Sequence, residues 1–275
     1  MQFKIACKIP GLRLIFLSDL SALNQRCMSF KDHFSKQSDL YLQARPGYPD
    51  QLFSFLASLV TAKETAWDCG TGNGQAAIPL TKYFARVLAT DPSEAQIKNA
   101  IQHEKIQYSI AKAESSGLRS ASVDLITCAA AIHWFDHSVF YPEAKRILKP
   151  GGIIAAWTYS STEVNDQVNP VIGELAHGLL KEYWPAENNL VWEKYKELPF
   201  PFIELQVPEF ICELDWNLQE LCAYLNTWSS TQRYIKANGT NPVDLIWNDL
   251  ENAWGKTEER KKVKMELSIK VGRND

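Results

Sequence analysis

A short apolar segment, Thr65-Ala66-Trp67-Asp68-Cys69, runs directly into Gly70-Thr71-Gly72-Asn73-Gly74. Three glycines in five residues after a strand let the backbone approach a ligand with no Cβ in the way. Such a loop opens the first strand–helix unit of nucleotide-binding α/β folds, and the residues that follow keep to that plan. Residues 75–84 put Ala76, Ala77, Leu80 and Tyr83/Phe84 on one side of an expected helix, its early turns weakened by Pro79. Arg86 to Thr90 reads as a second strand. Ser93-Glu94-Ala95-Gln96 reads as a capping box for the next helix. Gln107 to Ala111 is a weaker third strand. Val123 to Ala131, apolar except for Asp124 and Thr127, is suited to a central strand buried on both faces. A helix over 138–148, a turn at Pro150-Gly151-Gly152 and a strand from Ile153 to Trp157 complete the series. Regular alternation of strand and helix predicts a doubly wound parallel sheet, hence an α/β fold.

Before and after this stretch the pattern differs. Asp50 is placed to cap a helix carrying Leu52, Phe55, Leu56 and Leu59 at helical spacing. Beyond Tyr159 the chain reads as a helical elaboration: residues 168–198 are helical and rich in aromatics, Phe210 to Trp216 is a strand, and Leu218 to Trp228 is a helix. Asn241-Pro242 starts another helix, with Val243, Ile246, Leu250 and Ala253 on its buried face. Residues 264–271 alternate polar and apolar, as in a half-exposed strand near a sheet edge. With no linker or repeat in view, residues 28–275 are expected to form one domain, 28–160 its cofactor-binding half and 161–275 its substrate-side half. Residues 1–27, which precede a natural-looking start at Met28, are expected to be an extension outside the core.

The glycine spacing discriminates among ligands. A dinucleotide fingerprint places its third glycine where this chain has Gln75, and no Gly-Lys-Ser/Thr follows as a phosphate loop would require. The pattern is instead D-x-G-x-G-x-G. An acid at the strand end, Asp68, suits a ligand that brings positive charge to the loop, such as the ammonium and sulfonium of S-adenosylmethionine. Asp91 ends the second strand 17 residues after Gly74, within Ala89-Thr90-Asp91-Pro92-Ser93. An acid at about that distance can take both ribose hydroxyls.

With these pieces the chain resembles the class I S-adenosylmethionine-dependent methyltransferases of the methyltransferase-11 kind, and within them the trans-aconitate and juvenile-hormone-acid branch. The resemblance is carried by Arg45-Pro46-Gly47-Tyr48-Pro49, the DCGTGNG loop, Thr90-Asp91-Pro92-Ser93, Ala113-Glu114 and Ser122-Val123-Asp124-Leu125-Ile126. His133-Trp134-Phe135 and Leu148-Lys149-Pro150-Gly151-Gly152 complete it. It covers roughly residues 30–160 and implies a Rossmann-like sheet of seven strands, the last antiparallel. It also implies a cofactor site of Tyr41, Arg45, Asp68, Gly70, Thr71, Gly72, Gly74, Asp91, Pro92, Ala113, Glu114, Cys128 and Ala129. Ala113 and Glu114 would lie beside the adenine, and Cys128 and Ala129 would approach from the fourth strand. Tyr41 and Arg45 would close over the methionine end, where Arg45 can meet a carboxylate in a fork.

The donor sulfonium is already activated, so the protein's task is to hold a nucleophile in line with the methyl group. His133 is the candidate catalytic residue: it can orient or deprotonate a substrate hydroxyl, or pack beside Trp134. Trp134 and Arg233 are candidate substrate contacts, with Lys236 a further cation for a carboxylate acceptor. The expected product is S-adenosylhomocysteine and a methylated small molecule. A nucleic-acid amino-methyltransferase would place an Asn/Asp-Pro-Pro-aromatic motif after the fourth strand; here the run is Cys128-Ala129-Ala130-Ala131-Ile132-His133-Trp134. A net charge of −3 removes the electrostatic motive for nucleic-acid binding. A non-catalytic binder of the same cofactor stays open.

Six cysteines without C-x-x-C spacing fit free thiols in a reducing cytoplasm, and the five histidines include no H-x-x-x-H pair, so no metal is expected. The apolar run Leu14 to Leu17 is too short to span a bilayer, so no membrane partner is expected.

Overall fold

The computed structural model describes residues 45–275. The expectations for residues 1–27 and for Tyr41 lie outside the described residues. Among the described residues the sheet consists of β1 (Thr65–Cys69), β2 (Arg86–Asp91), β3 (Ile106–Ile110), β4 (Val123–Ala129), β5 (Leu148–Tyr159), β6 (Ile203–Glu204), β7 (Ile211–Trp216) and β8 (Lys261–Arg273). Their order is β3-β2-β1-β4-β5-β8-β6, with β7 also paired to β8. Strands β1 to β5 are parallel, and β8 is antiparallel to β5. The chain winds outward from β1 to β3, then returns to lay β4 on the other side of β1. A crevice therefore opens at the carboxyl ends of β1 and β4, where doubly wound sheets bind ligands.

The apolar runs follow from burial on both faces. In β5, Ile153, Ala155 and Trp157 enter one core while Ile154 and Ala156 enter the other. The first core is covered by α1 (Asp50–Ser58) and α2 (Ala77–Leu80), and the second by α4 (His137–Ile147) through Phe140, Tyr141, Ala144 and Ile147. Short α3 (Glu94–Lys98) follows β2.

Several local expectations shift for identifiable reasons. Asp50 is the first residue of α1 rather than its cap; Pro49 holds the cap position, and the Asp50 carboxylate pairs with Lys82 at 2.7 Å. The expected helix over 75–84 shrinks to α2: Pro79 has no N–H to give to Gln75 O, and beyond Leu80 the chain continues in three-residue turns, with Thr81 N, Lys82 N and Tyr83 N donating to Ile78 O, Pro79 O and Leu80 O. Ser93 caps α3 by accepting from Gln96 N at 3.3 Å, but the reciprocal half of the box is replaced: Ser93 N donates to Asp91 at 2.9 Å. Pro150-Gly151-Gly152 is a bulge within β5 rather than a turn before it, since Val123 pairs with Leu148 while Leu125 pairs with Ile153.

The second half of the chain is less regular. The expected helix over 168–198 is broken into α5 (Val168–Gly173), a π-helical stretch over Glu174–Leu179, a 3₁₀ turn over Lys181–Tyr183 and α6 (Asn188–Trp192). Pro185 separates the last two. After β7 come α7 (Leu218–Asn226), α8 (Ser229–Asn238), α9 (Pro242–Leu245) and α10 (Trp247–Trp254). Asn217 and Glu220 form a full capping box on α7, and Asn241 caps α9 by accepting from Val243 N.

Strand β8 lies at the antiparallel end of the sheet, as expected, with two-residue β6 beyond it. Its first part pairs with β7 over Lys261–Glu266 and its last part with β5 over Leu267–Arg273. Val263, Met265, Leu267 and Val271 are buried. Gly272 lies where β6 crosses, and a Cβ there would stand 2.6 Å from the Phe202 Cβ.

Candidate active site

The glycine loop is fastened to the two strands beside it. Gly70 N and Thr71 N both donate to Thr90 O at 2.9 Å, so the loop leaves β1 tied to the end of β2. Gly70, Gly72 and Gly74 all have positive φ, at 69°, 55° and 92°. At Gly70 a Cβ would stand 2.7 Å from Ala131 Cβ, and at Gly74 it would collide with the Tyr108 hydroxyl. At Gly72 it would meet nothing closer than Gln96 Oε1 at 3.9 Å. Two of the glycines are therefore demanded by the protein's own packing, and Gly72 faces open space.

Asp68 is fully buried at the crevice and held from both sides. The Thr71 hydroxyl donates to Oδ2 at 2.6 Å and the Thr127 hydroxyl, from β4, to Oδ1 at 2.7 Å. Burial pushes its pKa up to about 6, against the downward pull of the two hydroxyls. None of the ion pairs among the described residues includes it. Asp91 spans the next gap: Oδ2 accepts from Gly72 N and Oδ1 from Ser93 N, both at 2.9 Å. Pro92, between Asp91 and Ser93, is partly exposed. One carboxylate thus fixes both the loop tip and the start of α3.

Around the rim, Glu114 accepts from Asp136 N at 2.8 Å, which ties the loop after β3 to the cap of α4. Ala113 is buried nearby in the second core. Cys128 is fully buried against Cys69, so its thiol belongs to the core, whereas Ala129 is only partly buried. Ala130 turns the chain with φ 49° and donates to Trp157 O at 2.7 Å.

Beyond Ala130 lies a cavity of about 350 Å³. Arg45, Ala130, His133 and Trp134 line it on the loop side, and Thr158 to Thr162 line it at and beyond the end of β5. Its far wall is aromatic: Trp184 stands 5.5 Å from Trp192 and 5.4 Å from Trp228, with Tyr224 beyond. Asn169, Asn188 and His177 add polar groups, and among the described residues no Asp, Glu or Lys lines the cavity. Arg45 donates to Thr227 Oγ1 at 3.1 Å and lies over the Tyr224 ring, so it faces the cavity wall. Arg233 sits on α8 rather than in a loop and is not a lining residue, although Ser229 of the same helix is. Lys236 is likewise absent from the lining.

His133 is buried, and its Nδ1 lies 2.9 Å from the Tyr195 hydroxyl. Burial, reinforced by the charges of Arg45 and His137, lowers its pKa to about 3. The ring is neutral at any ordinary pH. Sequence reasoning missed Tyr195 as a partner, because no periodicity reports that Lys194 and Tyr195 both adopt positive φ. The wall tryptophans were visible only as an excess of aromatics.

Among the described residues no helix is long and apolar enough to cross a membrane, and no cluster of three His, Cys, Asp or Glu could hold a metal. Cys69, Cys128, Cys212 and Cys222 are buried free thiols.

Comparison with known proteins agrees with this geometry. The family model described as "Methyltransferase domain" matches residues 67–156, from β1 into β5. The chain is 31% identical over 233 residues to the "Putative methyltransferase" of Dictyostelium discoideum, covering 83% of this chain and 89% of that one. It is 29% identical to the "Probable S-adenosylmethionine-dependent methyltransferase CRG1" of Saccharomyces cerevisiae, covering 78% and 87%. The solved "Putative Type II Methyltransferase" of Anaeromyxobacter dehalogenans superposes with a TM-score of 0.77 at 41% identity, over 83% of this chain and 97% of that one. With its sheet order, its glycine loop between two acids and these relatives in agreement, the chain belongs to the class I S-adenosylmethionine-dependent methyltransferases.

Proposed function

We propose that the enzyme transfers the methyl group of S-adenosylmethionine to a small molecule held in the aromatic-walled cavity. The observation that carries this reading is the Asp91 bridge to Gly72 N, because it fixes a carboxylate at the loop tip beside the open space at Gly72. Asp68 fits the same cofactor. A buried carboxylate without a basic partner is stabilised by a ligand that brings positive charge, as the ammonium and sulfonium do.

In this reading Asp91 and Pro92 take the ribose side, Ala113 and Glu114 the adenine side, and Gly70 to Gly74 the methionine side. Ala129 approaches through its exposed part and Cys128 through its backbone, the thiol being in the core. Arg45 and Tyr41 serve the carboxylate end. Residues up to about 160 hold the cofactor and those beyond hold the acceptor. When bound, the cofactor supplies a methyl carbon whose bond to sulfur breaks, its electron pair staying on sulfur, as an acceptor lone pair forms the new bond.

The chain's own part is to orient and to exclude water. His133 and Trp134, between the loop and the cavity, orient the acceptor, and the tryptophan wall covers its apolar body. The cavity volume and the chain's negative balance favour a small molecule over a nucleic acid. An acceptor oxygen, carboxylate or hydroxyl, agrees with the trans-aconitate and juvenile-hormone-acid branch. The buried free thiols support a cytoplasmic location.

Calorimetry with S-adenosylhomocysteine tests the reading. Wild type should bind in the micromolar range and Asp91→Ala far more weakly. No binding by wild type, or identical binding by both, overturns it.

A further inference from the structure

Tyr195 is the group at the site that the methyl-transfer reading does not use. It is fully buried in the second core, yet its hydroxyl reaches His133 Nδ1 at 2.9 Å. It arrives there by a costly route. Lys194 and Tyr195 have φ of 53° and 58°, a left-handed conformation that a bulky aromatic rarely takes. The turn is held by Tyr195 N donating to Leu190 O at 2.8 Å. Such departures from backbone preference are retained where the surrounding structure requires them, and they concentrate at functional sites.

The chemistry of the pair then sets the tautomer. A buried phenol O–H needs an acceptor, and the one within hydrogen-bond geometry is His133 Nδ1. If instead Nδ1 carried the proton and donated, the phenol proton would be left without that acceptor. Thr158, which also lines the cavity, stands close to the phenol, but the partner within hydrogen-bond geometry among the described residues is His133 Nδ1. With Nδ1 accepting, the neutral ring carries its proton on Nε2, the nitrogen left for the cavity that His133 lines.

We propose that Tyr195 is a positioning residue that fixes His133 in the Nε2–H tautomer, so that His133 meets the methyl acceptor as a hydrogen-bond donor and not as a base. This rests on the reading of the cavity as the acceptor site. It sharpens the acceptor class, because an N–H at that point takes no proton. The acceptor atom it can orient is an oxygen already carrying its negative charge, a carboxylate above all. A hydroxyl that must be deprotonated would find no base in His133.

The test is nitrogen NMR of the full chain labelled with ¹⁵N-histidine, with S-adenosylhomocysteine added and His133→Gln used for assignment. The expected wild-type result is Nε2–H in at least roughly tenfold excess, since leaving a buried donor unsatisfied carries a penalty of that order. The Tyr195 hydroxyl proton should correlate with Nδ1, and the form should not change between pH 5 and 9. Tyr195→Phe should lose that correlation and move the Nδ1 shift toward a ring without the bond, with S-adenosylhomocysteine affinity changed by no more than about twofold, because the phenol touches His133 and not the loop. A wild-type ring protonated on Nδ1 overturns the proposal, and so do unchanged His133 shifts in Tyr195→Phe. The wild-type tautomer decides the matter even if that variant fails to fold. Failure of wild type to bind S-adenosylhomocysteine would instead strike the methyl-transfer reading and leave the tautomer result standing.

Discussion

The stretch from Thr65 to Tyr159 and the stretch from Val168 to Trp254 face each other across the site but are built on opposite plans. In the first, the donor side of the proposed reaction, four of the five parallel strands alternate their side chains between two cores, and the proposed functional groups sit at strand ends. In the second, short helices, a π-helical stretch and left-handed residues assemble a wall from side chains scattered between Asn169 and Ser229. The donor side gains precision from backbone: Gly70 N, Thr71 N, Gly72 N and Ser93 N are all hydrogen-bonded into the frame. The proposed acceptor side gains shape from large aromatic rings. A fixed cofactor tolerates little variation in its cradle, whereas a wall of rings can be reshaped without disturbing the sheet.

If that contrast holds, the largest effect should come from Gly74→Ala. The added methyl meets the Tyr108 hydroxyl at φ 92°, and a loss of about 3 kcal/mol in urea unfolding is expected. Wild-type stability in that variant would break the claim that the loop is rigid. Next, Asp91→Ala removes an acceptor from two backbone donors and from the proposed ribose contact. Calorimetry should show S-adenosylhomocysteine affinity falling by about 100-fold. The same measurement on Trp228→Ala, in the acceptor wall, should change by less than about threefold, because distant sites act independently.

A third test uses pH. The folded pKa of Asp68, about 6, lies above its ordinary value of 3.8. Its contribution to the stability of the ligand-free fold is therefore fully present below that ordinary value and is lost as pH rises through about 6. A cationic ligand favours the ionised form, so binding should weaken as pH falls below about 6, approaching tenfold per unit. Asp68→Asn should flatten that profile; a wild-type profile already flat from 8 to 5 would remove Asp68 from cofactor binding. The smallest effect is expected at Gly173→Ala, in the acceptor-side helix α5. An added Cβ there meets nothing within 4 Å, and the fold should gain about 0.5–1 kcal/mol with cofactor affinity unchanged.

The two sides also differ in how much of them could be read in advance. Strands β1, β2, β4 and β5 were legible because burial on both faces demands largely apolar runs, and the loop because three glycines and two acids have a characteristic spacing. The last strand and its place at the antiparallel end of the sheet were legible, but its pairing with β7 was not, since alternation says nothing about what pairs with the second edge. The acceptor wall was legible only as composition. Trp184, Trp192 and Trp228 have core packing as their ordinary explanation, and only the broken helices bring them to one cavity. Arg233 was a reasonable cation for an acidic acceptor, yet α8 carries it away from the lining. His133 was singled out by its place after β4. Its loss of basicity needed three-dimensional burial, and Tyr195 needed a backbone conformation that no residue pattern announces.

Strand β8 has a consequence for how such a chain can vary in length. One continuous strand is read by β7 through its first residues and by β5 through its last, and Gly272 is pinned between Phe200 and Phe202. Deleting or inserting one residue near its middle would keep one half in register and turn every side chain of the other half to the wrong face. Changes in length are therefore confined to the connections on either side of residues 261–273. The acceptor wall can diversify by loops and rings, while the strand that joins it to the donor frame acts as a fixed ruler.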